Sequence, residues 1–71
     1  MSRSYATETR RRLMAQVLKF IEKNPDARLE WLEANIGIEI GLSPRKIKEY
    51  LRQFEVAGRI VRTEKGFKLL T

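Results

Sequence analysis

Apolar side chains recur at spacings of three and four residues in the first third of the chain. Between about Thr7 and Lys23 these positions are Leu13, Met14, Val17, Leu18 and Ile21. Because such spacing puts side chains on one face of an α-helix, the pattern predicts a first helix here. The dipeptide Asn24-Pro25 is expected to end it, since the residue before a proline avoids helical backbone angles. Residues 1–6 are predicted to be flexible.

A second helix is predicted from about Ala27 to Ile40, with Asp26 as its N-cap. Its apolar stripe is Leu29, Leu32, Ile36 and Ile40. The run Ile36–Ile40 also alternates like a short strand, and an extended stretch around Arg28–Leu29 is compatible with the sequence. We favour a helix up to Ile40, because Gly41-Leu42-Ser43 then forms the turn to the next helix.

A third helix is predicted from about Pro44 to Ala57. Its buried stripe is Ile47, Leu51 and Phe54, with Tyr50 and Ala57 beside it. Ser43 can cap its start, and Pro44 fits the first turn, where no amide donor is needed. Gly58 is typical of the residue that ends a helix.

The connection between the second and third helices is short and holds two glycines. Gly37 would let the two helices approach closely, and Gly41 can adopt the left-handed conformation that ends a helix. The sequence therefore predicts a tight helix-turn-helix, which is a common way to place a helix in a DNA groove.

After Gly58 the apolar period changes. Ile60–Thr63 and Phe67–Leu70 are short β-like runs, and Thr63-Glu64-Lys65-Gly66 supplies a turn, so a hairpin is predicted. An isolated hairpin is marginal in water and must pack on the helices. The expected fold class is α+β, mainly α, with residues 1–71 as one small domain.

The composition excludes several kinds of site. The chain contains no cysteine and no histidine, which excludes disulfides, the usual zinc sites and histidine-based catalysis. We expect no enzyme activity and no cofactor. Short apolar runs and an N-terminus without an apolar signal region predict a cytoplasmic, nucleoid-associated protein with no membrane contact. Richness in Ile, Glu, Lys and Arg is compatible with a thermophile or archaeal source.

The net charge of +6 is unevenly distributed along the chain. Residues 1–23 carry +4, residues 24–41 carry −3 and residues 42–71 carry +5. A polyanion is therefore expected to meet the two flanks and to avoid the middle segment. The alternative is that the basic charge serves solubility alone.

The third helix carries the strongest candidates for binding. At 100° per residue, its outward side is predicted to hold Arg45, Lys48, Glu49 and Arg52, with Lys46 on the flank. Arginine can bond guanine in bidentate fashion, and Ser43 with the free amides at the helix start could hold a phosphate. The alternative is a solvated face with Arg45–Glu49 and Glu49–Arg52 ion pairs. Glu49 has three possible roles: it would orient the two arginines, accept a hydrogen bond from cytosine N4, or weaken the binding of DNA.

Two further basic groups are candidates for phosphate contacts. In the hairpin these are Arg62, Lys65 and Lys68, which would otherwise protect an edge strand from aggregation. In the first helix Arg12 lies opposite the apolar stripe, while Arg10 lies over its N-terminal end; the alternative is a solvated helix start. The acids Glu30, Glu33 and Glu39 are interpreted as a solvent face of the second helix.

The aromatic residues Trp31 and Tyr50 leave two interpretations open. If their rings are exposed, they could stack on a base or on a partner protein. The favoured interpretation is that both rings are partly buried in a small core. Joint exposure of Trp31, Ile38 and Phe20 would mark a dimer face or another protein partner's site.

Taken together, these motifs resemble the winged helix-turn-helix family of DNA-binding domains over about residues 8–70. The signature of a small residue, a glycine four positions on and an aliphatic residue six further on is met by Gly37, Gly41 and Ile47. Ala57-Gly58-Arg59-Ile60-Val61 is similar to the exit into the first wing strand, and Gly66-Phe67 to the returning strand. The second helix is longer and the wing shorter than is average for the family.

The resemblance implies sequence-dependent binding of double-stranded DNA by a small transcriptional regulator. Helix 44–57 would lie in the major groove, and hairpin 60–70 would serve as the wing. A monomer of this size reads few base pairs, so a homodimer on a two-fold site is expected. The alternative is a protein-interaction or accessory module of a DNA replication complex, similar to the C-terminal winged-helix domain of archaeal replicative helicases. A single-strand or RNA binder would need exposed aromatics on the basic face.

Overall fold

The structure, a computed structural model, describes the backbone of residues 2–70 and the side chains of residues 7–70. Its elements in chain order are α1 (Ser2–Lys23), α2 (Leu29–Ile40), α3 (Pro44–Val56), β1 (Ile60–Arg62) and β2 (Phe67–Leu69). The two strands pair antiparallel, and the hairpin packs against α1 and α3. The predicted mainly α fold with a C-terminal hairpin is confirmed.

Helix α1 begins at Ser2 rather than near Thr7. The segment before Thr7 contains no proline or glycine, so nothing in it interrupts helical hydrogen bonding. The predicted flexibility of residues 1–6 stays a prediction, and Met1 lies outside the described residues. The predicted end at Asn24-Pro25 is confirmed, with Asn24 Nδ2 donating to the Phe20 carbonyl at 2.9 Å.

Asp26 is not the N-cap of α2, and this prediction was wrong. Its backbone is left-handed with φ of 64°, its amide donates to the Phe67 carbonyl at 2.9 Å, and its Oδ1 accepts from Thr63 Oγ1 at 3.0 Å. Ala27 forms an antiparallel bridge with Phe67. Because Asp26 and Ala27 are paired with the hairpin, α2 starts only at Leu29, after an extended Arg28 without a side-chain cap.

The turn between α2 and α3 has the predicted local geometry. Ile36–Ile40 is helical, and Gly41 ends α2 in the left-handed region with φ of 85°. Ser43 Oγ accepts from the Lys46 amide at 3.3 Å, and Pro44 occupies the first turn of α3. Gly37 is not needed for a close approach, because an added Cβ would lie 3.4 Å from the Leu42 carbonyl oxygen, an ordinary contact.

Helix α3 ends at Val56, one residue before the predicted end. Gly58 has φ of 74°, and its amide donates to the Glu55 carbonyl at 3.0 Å. The Arg59 amide donates to the Phe54 carbonyl at 2.8 Å. These two bonds form a Schellman motif, so the predicted role of Gly58 is confirmed.

The hairpin is closed by a four-residue turn that joins the two strands. Register pairs Ile60 with Leu69 and Arg62 with Phe67, and the Thr63 amide donates to the Gly66 carbonyl at 2.6 Å. Since β2 also pairs with Ala27 on its other side, the hairpin is held between α3 and the start of α2.

The core lies where the three helices and the hairpin converge. Its buried residues are Val17, Ile21, Leu32, Ile36, Ile47, Tyr50, Leu51, Phe54, Ile60 and Phe67. Four of them belong to α3, so one side of that helix is fixed and the opposite side faces solvent. Among the described residues, no helix is long and apolar enough to cross a membrane.

Candidate functional site

The outward side of α3 carries the predicted basic residues. Burial of Ile47 and Leu51 orients the helix, and the side chains on its other side are exposed. These exposed residues are Arg45, Lys46, Lys48, Glu49 and Arg52. The predicted orientation of the helix is therefore confirmed.

Each acidic group near this side is paired with a lysine or arginine. Glu49 Oε1 lies 3.8 Å from Lys46 Nζ within α3, and Glu33 Oε2 of α2 lies 3.7 Å from Lys48 Nζ. These ion pairs place a lysine beside each carboxylate and offset part of its charge, weakly so for the exposed Lys46–Glu49 pair.

The side chains of Arg45 and Arg52 make no hydrogen bond or ion pair within the part of the chain that the structure describes. The predicted pairs of Glu49 with these two arginines do not form, because Glu49 takes Lys46 instead. Positions seven apart lie on the same side of a helix, about 10 Å apart along its axis. Two guanidinium groups therefore stand free on one side of α3.

Glu33 is not part of the solvent face of α2, although Glu30 and Glu39 are exposed as predicted. Its side chain is 19% exposed, and its Oε2 is buried without a hydrogen-bond partner among the described residues. The nearest cation is Lys48 Nζ, beyond hydrogen-bond distance. A carboxylate in this setting favours a nearby positive charge, so Glu33 holds Lys48 close to α2.

Arg62 of the hairpin is also engaged within the protein. Its Nε donates to Glu55 Oε2 at 3.2 Å, and its guanidinium carbon lies 5.2 Å from the centre of the Phe67 ring. These contacts fix the hairpin against α3. A groove between α3, the hairpin and the start of α2 is lined by Leu29, Lys48, Leu51, Arg52, Glu55, Arg62 and Phe67. The structure thus brings Lys48, Arg52 and Arg62 together.

The remaining predicted cations are distributed differently. Lys65 and Lys68 are exposed on the hairpin and have no ion pair among the described residues. Arg12 is exposed on α1, but Arg10 is the residue that reaches α3, with its Nη2 donating to Gln53 Oε1 at 3.1 Å. Residues two apart differ by about 200° around a helix, so Arg12 points away from α3. In the sequence, the position of Arg10 over the N-terminal end of the apolar stripe indicated that it lies on the side of α1 that faces the rest of the protein.

The aromatic side chains do not form a basic stacking surface. Tyr50 is 4% exposed and belongs to the core, so the predicted burial is confirmed. Trp31 is 42% exposed and packs on Phe20, with ring centroids 5.6 Å apart. The described outward side of α3 therefore offers no aromatic ring to an unpaired base.

No protein-family model matches this chain, and no curated protein or solved structure matches it either. Three helices followed by an antiparallel C-terminal hairpin are compatible with a winged-helix layout.

Proposed function

We propose that the protein binds double-stranded DNA, with α3 in the major groove and the hairpin on the sugar–phosphate backbone. The main support for this proposal is that the side chains of Arg45 and Arg52 are unpaired, whereas the carboxylates near α3 are already in ion pairs. A free guanidinium can form two parallel bonds with the O6 and N7 atoms of guanine. An α-helix fits the width of the major groove.

Phosphate contacts would flank this helix on both sides. At the start of α3, Ser43 already accepts from the Lys46 and Ile47 amides, which leaves the Arg45 amide for a phosphate oxygen near the positive end of the helix dipole. On the hairpin, Lys65 and Lys68 are exposed for the same purpose. Such contacts position a protein on DNA without reading its sequence.

Replacement of either free arginine tests the proposal. We expect Arg45→Ala and Arg52→Ala each to weaken duplex binding about tenfold, the loss of one good base or phosphate contact. Where the lost contact is to a phosphate, the slope of log K against log salt concentration becomes shallower by about 0.9. The measurement is fluorescence anisotropy with random duplex, single-stranded DNA and RNA over a series of salt concentrations.

The matched control is Lys19→Ala on α1, which removes the same charge from an exposed position. It should change duplex affinity by less than about twofold, because only distant electrostatics are altered. Unchanged duplex binding in both arginine variants would show that α3 is not the reading helix.

Glu49 decides between two roles at the centre of the same surface. Because its carboxylate repels phosphate and engages Lys46, we expect Glu49→Gln to raise affinity for random duplex about threefold at low salt, the size of a surface charge effect. Competition binding against duplexes that vary in sequence is the measurement. A loss of affinity confined to cytosine-containing sites would instead assign Glu49 to cytosine N4.

The fuller form of the proposal is a transcriptional regulator that prefers particular sequences, as a homodimer on a two-fold site. Selection of tight binders from a random duplex pool, followed by light scattering of the complex, tests both parts. An enriched palindromic motif bound by two chains would support both parts. If no motif is enriched, the proposal of a sequence-specific regulator is wrong.

The second candidate is an accessory module of a DNA replication complex, favoured by one observation. Trp31 and Ile38, at 42% and 82% exposure, lie outside the core on α2, as a protein-interaction module requires. This candidate predicts weak duplex binding that is independent of sequence. The same selection experiment separates it from the regulator.

A further inference from the structure

Arg10 joins the N-terminal part of α1 to the third helix. Its Nη2 donates to Gln53 Oε1 at 3.1 Å, across 43 positions of the chain. Arg10 lies four residues before Met14 and seven before Val17, so it continues the core-facing side of α1 by one turn. Because Val17 and Ile21 are fully buried, the rotation of α1 is fixed and Arg10 is directed towards α3.

The contact with Gln53 orients Arg10 without neutralising it. The side-chain amide of Gln53 carries no net charge, and Arg10 has no ion pair among the residues that the structure describes. A guanidinium has five N–H donors, so its hydrogen bond to Gln53 leaves donors for a further acceptor. Arg62 differs, because its Nε donates to the carboxylate of Glu55.

Two carboxylates lie near Arg10 along α1 or near Gln53 on α3, and neither pairs with Arg10. Glu8 is two positions earlier on α1, about 200° around the helix. Glu49 lies one turn before Gln53, but its Oε1 is 3.8 Å from Lys46 Nζ. An anion that approaches Gln53 therefore meets a guanidinium that no described carboxylate occupies.

Gln53 places this cation on the flank of α3 that faces away from α2 and the hairpin. On the other flank, Lys48 approaches Glu33 of α2 at 3.7 Å. Lys48 and Gln53 are five residues apart and so differ by about 140° around the helix, with Arg52 between them. A helix nearly fills the major groove, which is about 12 Å wide, and has a sugar–phosphate strand on each side. The hairpin would meet one strand and Arg10 the other.

We propose that Arg10 binds a phosphate of the DNA strand opposite the one met by the hairpin, with Gln53 holding its guanidinium in place. This role rests on the binding of duplex by α3 proposed above. A phosphate contact contributes about 0.9 to the slope of log K against log salt concentration and carries no sequence preference. Arg10 therefore strengthens binding to different duplexes equally.

Arg10→Gln and Arg12→Gln form a matched pair of variants. Both remove one positive charge from an exposed position of α1, and glutamine forms helix about as well as arginine. In fluorescence anisotropy with random duplex, we expect Arg10→Gln to weaken binding about five- to tenfold at about 0.1 M salt and to make the slope shallower by about 0.9. Arg12 points away from α3, so Arg12→Gln should change affinity less than about twofold and leave the slope unchanged.

Gln53→Ala separates a phosphate contact from a purely structural tie between the two helices. It removes the acceptor and keeps the cation, so we expect an unchanged salt slope and a loss of affinity below about threefold, the size of a weak surface interaction. If Arg10→Gln and Gln53→Ala weaken binding equally and neither alters the slope, Arg10 only ties α1 to α3 and the proposal is overturned.

Equal effects of Arg10→Gln and Arg12→Gln would also overturn the role of Arg10. If Arg45→Ala and Arg52→Ala weaken binding in the same assay but Arg10→Gln does not, only the role of Arg10 fails. If none of the three weakens binding, the binding of duplex by α3 fails with it.

Discussion

Gly66→Ala is expected to lower the free energy of unfolding by about 3 kcal/mol, the range of severe steric insertions. An added Cβ at Gly66 would overlap the Ala27 carbonyl group and approach the Arg28 amide nitrogen to 2.8 Å. The clash involves backbone atoms, so no side chain can turn away to relieve it. The hairpin would have to move from the start of α2.

Movement of the hairpin would also break the backbone bonds beside Gly66. Phe67 donates to the Ala27 carbonyl and accepts from the Asp26 amide, each at 2.9 Å. Thermal unfolding followed by circular dichroism measures the effect, and we expect the Tm to fall by about 10 °C or more for a domain of this size.

The control for this substitution is Gly37→Ala, which adds the same methyl group inside α2. Its Cβ would meet the Leu42 carbonyl oxygen at 3.4 Å, and alanine is favoured over glycine in a helix by about 0.5–1 kcal/mol. The Tm should therefore stay the same or rise slightly. Equal destabilisation by both variants would contradict the distinction between the two glycines.

The contrast between these glycines shows where sequence reasoning about the fold worked and where it did not. Local signals predicted three of the four caps correctly: Gly41, Ser43 and Gly58 act within a few residues of their own positions. The steric need at Gly66 depends on Ala27, far away in the chain. No local pattern reports such a contact.

Asp26 illustrates the same limit for a side chain. An aspartate after Asn24-Pro25 is a good N-cap by sequence. In the structure, however, its amide donates to the hairpin and its carboxylate accepts from the hairpin. The long-range pairing displaced the local one, and the helix start moved to Leu29. Boundaries next to tertiary contacts are therefore less predictable than the helices themselves.

For the candidate site, periodicity predicted which residues face outward on α3 but not which of them remain free. That depended on partners from other elements: Glu33 of α2 for Lys48, and the hairpin's Arg62 for Glu55. Only after these pairs are placed do Arg45 and Arg52 stand out as unpaired cations. An experiment can therefore test whether duplex binding depends on where the positive charges lie or only on the net charge of the protein.

The double variant Arg45→Glu/Arg52→Glu is expected to weaken duplex binding at least about 100-fold at about 0.1 M salt, where distant charges are screened. Two contacts worth about 1–3 kcal/mol each are lost, and two carboxylates are set against the phosphates. The slope of log K against log salt concentration should become shallower by about 1.8 if both arginines neutralise phosphates. Both positions are exposed, so the fold should persist by circular dichroism.

The matched control is Lys19→Glu/Lys23→Glu on α1, where both side chains are exposed. Each double variant lowers the net charge of +6 by four, to +2. The two proteins then differ in where the charge was changed and not in how much. We expect the α1 variant to lose less than about tenfold, because distant charges are screened beyond about 10 Å at 0.1 M salt. Equal losses would mean that net charge alone drives binding, and α3 would lose its assigned role.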